Sequence, residues 1–403
     1  MKISEFAYLI FSLVSIGYVA VFLEQRQIDL LLPLYVILSI GFFTLFILVR
    51  REGKLEVFDG GAILIAITAL YSIYPLVSFA MNGFETTVLA DNRLKENNMT
   101  ASKMGFFAWN HVVYFASLSL SYLYFRPKER SLNFYEQTFK IINPVELIIG
   151  FIFMAALTVW SISIPLLFGD SFPYFIKQLN NNFGALFFVM SIWFFAVALT
   201  KWDNNFFKIL LLIYLVFELI KLSLGMTGRT WVALHLIAFG MLYHKCIKPF
   251  STKQIIIYSF AFIVVFLFFG FIRTGQASLL SVGVGFFTGN EEFTALFATA
   301  YDTHMLILNN ETKVPFSVWS FDLTNLIPSQ FLPYEKIAQT DWYVALKGLQ
   351  DDGVGFGFGA ITQGIIGFGK PDMMIRGILT GAFFGYLHSL VNRKNLSIWL
   401  LVL

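Results

Sequence analysis

Apolar runs of about twenty residues, separated by short polar or basic stretches, recur along nearly the whole chain. A helix of that length spans roughly 30 Å, the thickness of a bilayer's hydrocarbon core. The pattern therefore predicts an all-α fold: a polytopic transmembrane helical bundle forming one integral membrane domain over residues 1–403, with about 10 to 12 membrane helices. The spans fall near 3–23, 28–49, 60–80, 104–125, 145–168, 184–200, 206–224, 230–244, 254–272 and 373–391. The first follows Lys2 like a signal peptide, but its apolar run is too long. Val21-Phe22-Leu23-Glu24 offers no small-residue cleavage site, so it reads as a span.

Basic residues then set the orientation. Arg50, Arg51 and Lys54; Arg126, Lys128, Arg130 and Lys140; Lys201 and Lys208; Lys245, Lys248 and Lys253; and Arg393 with Lys394 occupy every second loop, which assigns those loops to the cytoplasm. Facing outward are the turn 24–27, the loops 82–103 and 169–183, the turn 225–228, and a long periplasmic loop over 273–372. At about 100 residues that loop is too long for a mere connection, so structure and function of its own are expected, as short helices at the membrane surface. Residues 354–369 are apolar enough to enter the bilayer. A full crossing there would leave Arg393 and Lys394 outside, so a partly inserted or surface helix is expected. Gly377, Gly381 and Gly385, four residues apart on the last span, mark a face for close helix packing. The chain stops inside a further apolar run, 396–403, which is too short to cross and reads as an incomplete carboxyl terminus.

Composition agrees with this pattern. Of 403 residues, 57% are hydrophobic and 13% charged, and the mean hydropathy is +0.72, unlike any water-soluble domain. The net charge of +3 is too small to argue for nucleic acid. Cys246 is the only cysteine, so the outward loops hold their shape without an internal disulfide.

Candidate chemistry gathers at the outer boundary. The tight turn Gly225-Met226-Thr227-Gly228-Arg229-Thr230 presents backbone amides, a guanidinium and a helix start capped by Thr230, all of which suit a diphosphate. Arg273 opens the long loop. A guanidinium at a lipid–water boundary is costly unless it meets an anion, and its planar fork matches phosphate oxygens; the plainer account is an arginine snorkelling to headgroups. Glu218 and Lys221 lie three apart on one helical face and can neutralise one another, while Lys221 can also add a cation to the site. In the long loop, Glu291, Glu292, Asp302 and His304 include groups able to accept a proton from a hydroxyl. Asp302 and His304 are two apart, so on a helix they point in different directions. Asp351-Asp352-Gly353 reads as loop, because nothing nearby completes a metal cage. Trp319, Phe321, Tyr334, Trp342 and Tyr343 can stack on sugar rings, although aromatic residues at a membrane boundary are expected in any case.

With Gly-x-Thr-Gly-Arg229 on the outer side, Arg273 after the next span, Glu292-Phe293 and Leu326-Ile327-Pro328 in the long loop, the chain resembles bacterial oligosaccharide repeat-unit polymerases of the Wzy type. The glycine-bearing 355–362 and 364–367 segments and the last helix add to the match, which covers roughly residues 200–392. One departure is Gln363, where members often carry a glutamate, so no catalytic carboxylate is carried onto it. The resemblance implies a membrane-embedded glycosyltransferase of the GT-C type in the bacterial inner membrane, its active site facing the periplasm. It would join undecaprenyl-diphosphate-linked oligosaccharides into O-antigen or a related surface polysaccharide by inverting transfer. Arginines would take the place of a metal in stabilising the diphosphate leaving group, and no cofactor is implied. Arg229 and Arg273 are the candidates for that role, with Arg376, Lys221 and Thr230 beside them; Glu292, His304 and Asp302 are candidate bases. The partners implied are the lipid-linked glycans, the bilayer, a chain-length regulator and a flippase, with no nucleic acid. Two alternatives share the architecture: an O-antigen ligase, which differs in its acceptor, and a lipid-linked oligosaccharide flippase or other transporter. Transporters usually show repeated halves and polar, broken helices at mid-membrane, whereas here polar residues gather outside.

Overall fold

The computed structural model describes residues 28–52, 60–82, 100–126, 291–324, 331–348 and 358–391, together with scattered positions between 152 and 261. Helices dominate, and no strand occurs among the described residues. The chain forms two compact units, one from 1–129 with 280–389, the other from 130–279 with 390–403.

In the first unit the described helices are α1 (Ile28–Glu52), α2 (Gly60–Asn82), α3 (Ala101–Phe125), α4 (Glu291–Leu308), α5 (Phe316–Trp319), α6 (Phe321–Thr324), α7 (Gln339–Leu346), α8 (Ala360–Ile366) and α9 (Lys370–Val391). The 20 residues Asp29–Leu48 of α1 are, among the described residues, the one helix long and apolar enough to cross a membrane by length and composition, at a mean hydropathy of 2.5; Ile63–Val77 of α2 is a shorter apolar helix. The 104–125 and 373–391 segments are helical as expected, yet more polar. In α3 the polar residues Asn110, His111, Ser117, Ser119 and Ser121 are turned inward and buried.

Ser119 Oγ is buried without a partner among the described residues, but the other buried hydroxyls of α1 to α3 are satisfied locally or across helices. Thr44 donates to the Ile40 carbonyl at 2.7 Å, Ser72 to that of Thr68 at 2.9 Å, and Ser117 to that of Val113 at 2.8 Å. Such bonds one turn back cancel a hydroxyl's polarity inside an apolar layer. His111 Nδ1 and Ser72 Oγ, 3.0 Å apart, pair α3 with α2. Thr100 caps α3 by accepting from the Lys103 amide at 3.3 Å.

Close approach does the rest. α1 packs along α3, and a Cβ at Gly105 would lie 2.7 Å from the Asp29 carbonyl carbon. The glycine face expected on the last span is used: Gly377, Gly381 and Gly385 press on the α3 backbone, with a Gly377 Cβ falling 2.7 Å from the Tyr114 carbonyl oxygen. Ser121 Oγ donates to the Ile378 carbonyl across this seam at 2.8 Å. Small residues let the two backbones touch, so van der Waals contact and a few hydrogen bonds set the geometry of the seam.

The long 273–372 segment carries short helices as expected, and α4 is where it departs from the surface placement. α4 is no surface helix: residues 297–303 are all buried, and Phe297, Ala298, Ala300 and Tyr301 join the core built by Leu34, Phe107, Phe115 and Leu118. The polar members Thr299, Asp302 and Thr303 interrupt an otherwise apolar run and are interior too. α8, in the 354–369 stretch expected as a partly inserted or surface helix, is short and packed into the core. Thr362, Gly364, Ile365 and Ile366 are buried, and it packs against α4 and α3.

In the second unit, residues from three expected spans meet. Phe195 is wholly buried, with Tyr214, His235 and Phe239 ring centroids 5.4, 6.1 and 5.7 Å away, and His235 Nε2 lies 2.7 Å from Ser191 Oγ.

Candidate functional site

The densest polar constellation among the described residues centres on Arg376, in the first half of α9. Its Nε donates to Asp372 Oδ2 at 3.0 Å, one turn back on the same helix. Its Nη1 donates to Asp322 Oδ2 on α6 at 2.9 Å and to Gln363 Oε1 on α8 at 3.3 Å. The Gln363 amide donates to Asp322 Oδ1 at 3.3 Å, and the Gln339 amide, at the start of α7, to Asp322 Oδ2 at 3.1 Å. Four helices thus converge on one ion-pair network. The network is not sealed, since the Arg376 and Asp322 side chains keep 18% and 27% of their surface exposed.

Local structure explains the convergence. Gly369, at φ 69, turns the chain between α8 and α9, a left-handed conformation open to glycine at little cost. Its amide bonds the Gly364 carbonyl at 2.9 Å and its own carbonyl accepts from Met373 N at 3.0 Å, so the end of one helix is stitched to the start of the next. Asp372 then lies in the first turn of α9, where a helix favours negative charge. Gly367 holds the corner open: a Cβ there would strike Asp372 Oδ2 and come within 2.8 Å of Trp319 Nε1.

Trp319 connects the network to a group of aromatic rings. Its indole nitrogen is buried beside Gly367, without a hydrogen-bond partner. Its ring lies 5.2 Å from Phe368 and 5.4 Å from Phe316, centroid to centroid, and Phe316 meets Tyr334 edge to face at 5.6 Å. Phe316 and Phe368 are 63% and 70% exposed, so apolar faces stand open next to the ion pair. Ser320 and Tyr334 share a hydroxyl hydrogen bond of 2.9 Å that braces this rim. Of the other aromatic candidates, Trp342 and Tyr343 are buried, in a core with Val318 and Ile366, and offer no open ring face; Phe321 is half-buried.

The candidate bases fall in different surroundings. Asp302 is fully buried in α4, held by both Lys347 Nζ, at 2.9 and 3.0 Å to its two oxygens, and the Tyr343 hydroxyl. That is the geometry of a structural ion pair, so its expected role as an accessible base has no opening in this fold. His304, two residues on, faces Phe106 and Phe107, at 6.2 and 5.5 Å between ring centroids, as the helical spacing required. Its Nε2 is buried without a partner. Burial, and then the Lys370 ammonium, hold its imidazole below the ordinary value, which keeps it neutral and disfavours its taking up a proton. Burial also pushes the Tyr301 phenol up to about 12.

Glu292 lies in the first turn of α4, and its side chain is outside the described residues. So are Arg229, Arg273, Lys221 and Thr230, with the 225–228 turn, Glu218 and Asp351-Asp352. Of the expected anion-binding set, the described structure places Arg376 alone, and places it against two carboxylates. Asp322, Asp372 and Gln339 went unremarked in the sequence. Asp322 and Gln339 lie on other helices, up to 54 residues from Arg376, with no local spacing to link them to it; Asp372 is four residues before Arg376 on α9, a spacing that was legible.

The described fold and site together define an all-helical protein with a partly open carboxylate–guanidinium–amide network bordered by aromatic rings. The chain matches no protein-family model, no curated protein and no solved structure.

Proposed function

We propose that this chain is a polytopic membrane glycosyltransferase of the GT-C type that polymerises undecaprenyl-diphosphate-linked repeat units into O-antigen or a related polysaccharide on the periplasmic face of the bacterial inner membrane. The observation that carries the reading is the Asp322–Arg376 network itself. Its carboxylates and amides belong to the segment that the positive-inside pattern turns outward and Arg376 to the outer end of the last span, and it combines exposed aromatic faces with carboxylate, guanidinium and amide groups, a donor and acceptor set suited to a polyhydroxylated ligand. The apolar spans and the resemblance in the 200–392 region support the same class.

In this reading the acceptor hydroxyl attacks the anomeric carbon in one displacement. Its proton passes to a base, and the C–O bond to the diphosphate breaks with its electron pair leaving on oxygen. Arg229 and Arg273 offset the charge that accumulates on that leaving group. The reaction needs no metal.

Complementation tests the proposal. In a bacterial strain lacking its repeat-unit polymerase but making the matching lipid-linked glycan, the gene is expected to restore a ladder of long surface polysaccharide on gels. Arg229→Ala and Arg273→Ala are each expected to abolish the ladder at normal membrane protein level. Rescue of a ligase-deficient or flippase-deficient strain in its place would replace the reading.

A further inference from the structure

We propose that the Asp322–Arg376 network and the aromatic rim over it form a binding subsite for one uncharged sugar ring of the glycan, and that Arg376 serves hydroxyl groups there and not the diphosphate. The inference rests on the glycosyltransferase reading and assigns a part of the substrate to a place in the fold.

Charge decides between the two ligands. The network holds two carboxylates, Asp322 and Asp372, against one guanidinium, so it carries a net negative charge before any ligand arrives. A diphosphate would meet repulsion at this spot. A neutral polyol would not.

Hydrogen-bonding capacity points the same way. A guanidinium has five N–H donors, of which Arg376 spends three, on Asp372, Asp322 and Gln363. The two on Nη2 have no partner among the described residues. Asp322 accepts two bonds on Oδ2, from Arg376 and Gln339, but a single one on Oδ1, from Gln363, which leaves an acceptor site on that oxygen. The partly exposed network therefore presents spare donors and a spare acceptor side by side, the complement of neighbouring ring hydroxyls. The two glutamines hold Asp322 from both sides, so this arrangement exists before binding and no side-chain ordering is required.

The aromatic rim supplies the other half of sugar recognition. A pyranose has an apolar face of C–H groups, which packs on the negative face of an aromatic ring. Trp319 is fixed at its N–H edge against Gly367 and flanked by Phe316 and Phe368, both largely exposed. Rings exposed to this degree beside a polar cluster are suited to a ligand that is itself amphipathic.

The test uses the full chain in lipid nanodiscs. The probe is the repeat-unit glycan released by mild acid from the lipid-linked material of the bacterium that encodes the protein, free of lipid and phosphate. Saturation-transfer difference NMR reads which glycan protons approach the protein. Transfer to the C–H protons of one ring is expected, falling at least five-fold in Trp319→Leu, in Asp322→Asn and in the double variant Phe316→Ala/Phe368→Ala. The two phenylalanines are exposed, so their loss leaves folding intact, as an unchanged thermal melt will report. Absence of transfer in the wild-type protein, or equal transfer in all variants, overturns the subsite. Inorganic diphosphate competing with the glycan overturns the assignment of Arg376. Ladder complementation reports separately on the polymerase reading: a ladder without free-glycan binding removes the subsite alone, and glycan binding without a ladder removes the polymerase alone.

Discussion

Asp302 and Asp322 are both aspartates in the 273–372 segment, and each is bonded to a cation, yet their surroundings give them opposite parts. Asp302 has no exposed surface and holds Lys347 through both oxygens, with the Tyr343 hydroxyl as a further donor. Removing one member of a fully buried pair costs about 3–5 kcal/mol, because the other charge is stranded. Here Lys347 keeps 18% of its side chain exposed and can turn to water, so the cost falls to roughly 2 kcal/mol. Asp302→Ala is therefore expected to lower the melting temperature of the detergent-solubilised protein. Asp322→Asn, at a more exposed carboxylate that can still accept hydrogen bonds, is expected to leave it within a degree or two. Equal destabilisation by both would remove the distinction. None of this was readable from residue type: the sequence offered Asp302 as a candidate base and passed over Asp322, since burial and pairing are properties of the neighbours.

At the scale of elements, the α3–α9 seam was legible in advance and the α4 environment was not. Glycines at 377, 381 and 385 repeat at the helical period, and a stripe of that kind lets two backbones touch wherever the partner lies. The sequence named the face. Only the fold named α3 as the partner. Gly381→Ala would set a methyl group on the Leu118 carbonyl oxygen and 2.9 Å from the Tyr122 amide nitrogen, neither of which can rotate aside. An overpacking cost of about 1–3 kcal/mol is expected, read as a fall in thermal stability and in resistance to protease. The exposed neighbour Leu379→Ala serves as the comparison and should change little. α4 escaped prediction because periodicity separates polar from apolar faces only when polar residues seek water; Thr299, Asp302 and Thr303 are buried with the core residues.

For the whole molecule, orientation is the property on which the proposed chemistry depends. The pattern of basic loops predicts Cys246 in the cytoplasm and residues 273–372 outside. With a single native cysteine, labelling gives a clean reading. In a Cys246→Ser background, Lys313→Cys, at an exposed position, is expected to react with a membrane-impermeant maleimide in intact spheroplasts. In the wild-type chain, Cys246 is expected to react only after the membrane is opened. The reverse pattern would put the Asp322–Arg376 network in the cytoplasm and end the periplasmic mechanism.

By itself the sequence determined the all-helical class, the positions of the described long helices near 28–49, 60–80, 104–125 and 373–391, and the glycine face of the last one. These follow from local rules: apolar run length, backbone hydrogen bonds closed within each helix, and a period of four. Tertiary structure alone decided that Arg376 meets Asp322 and Gln363, that Gln339 bonds Asp322, that Trp319 closes over Gly367, and that Asp302 is sealed inside. Those pairings join residues up to 54 positions apart on separate helices, so the energy that selects them arises between elements and leaves no mark on the pattern within any one.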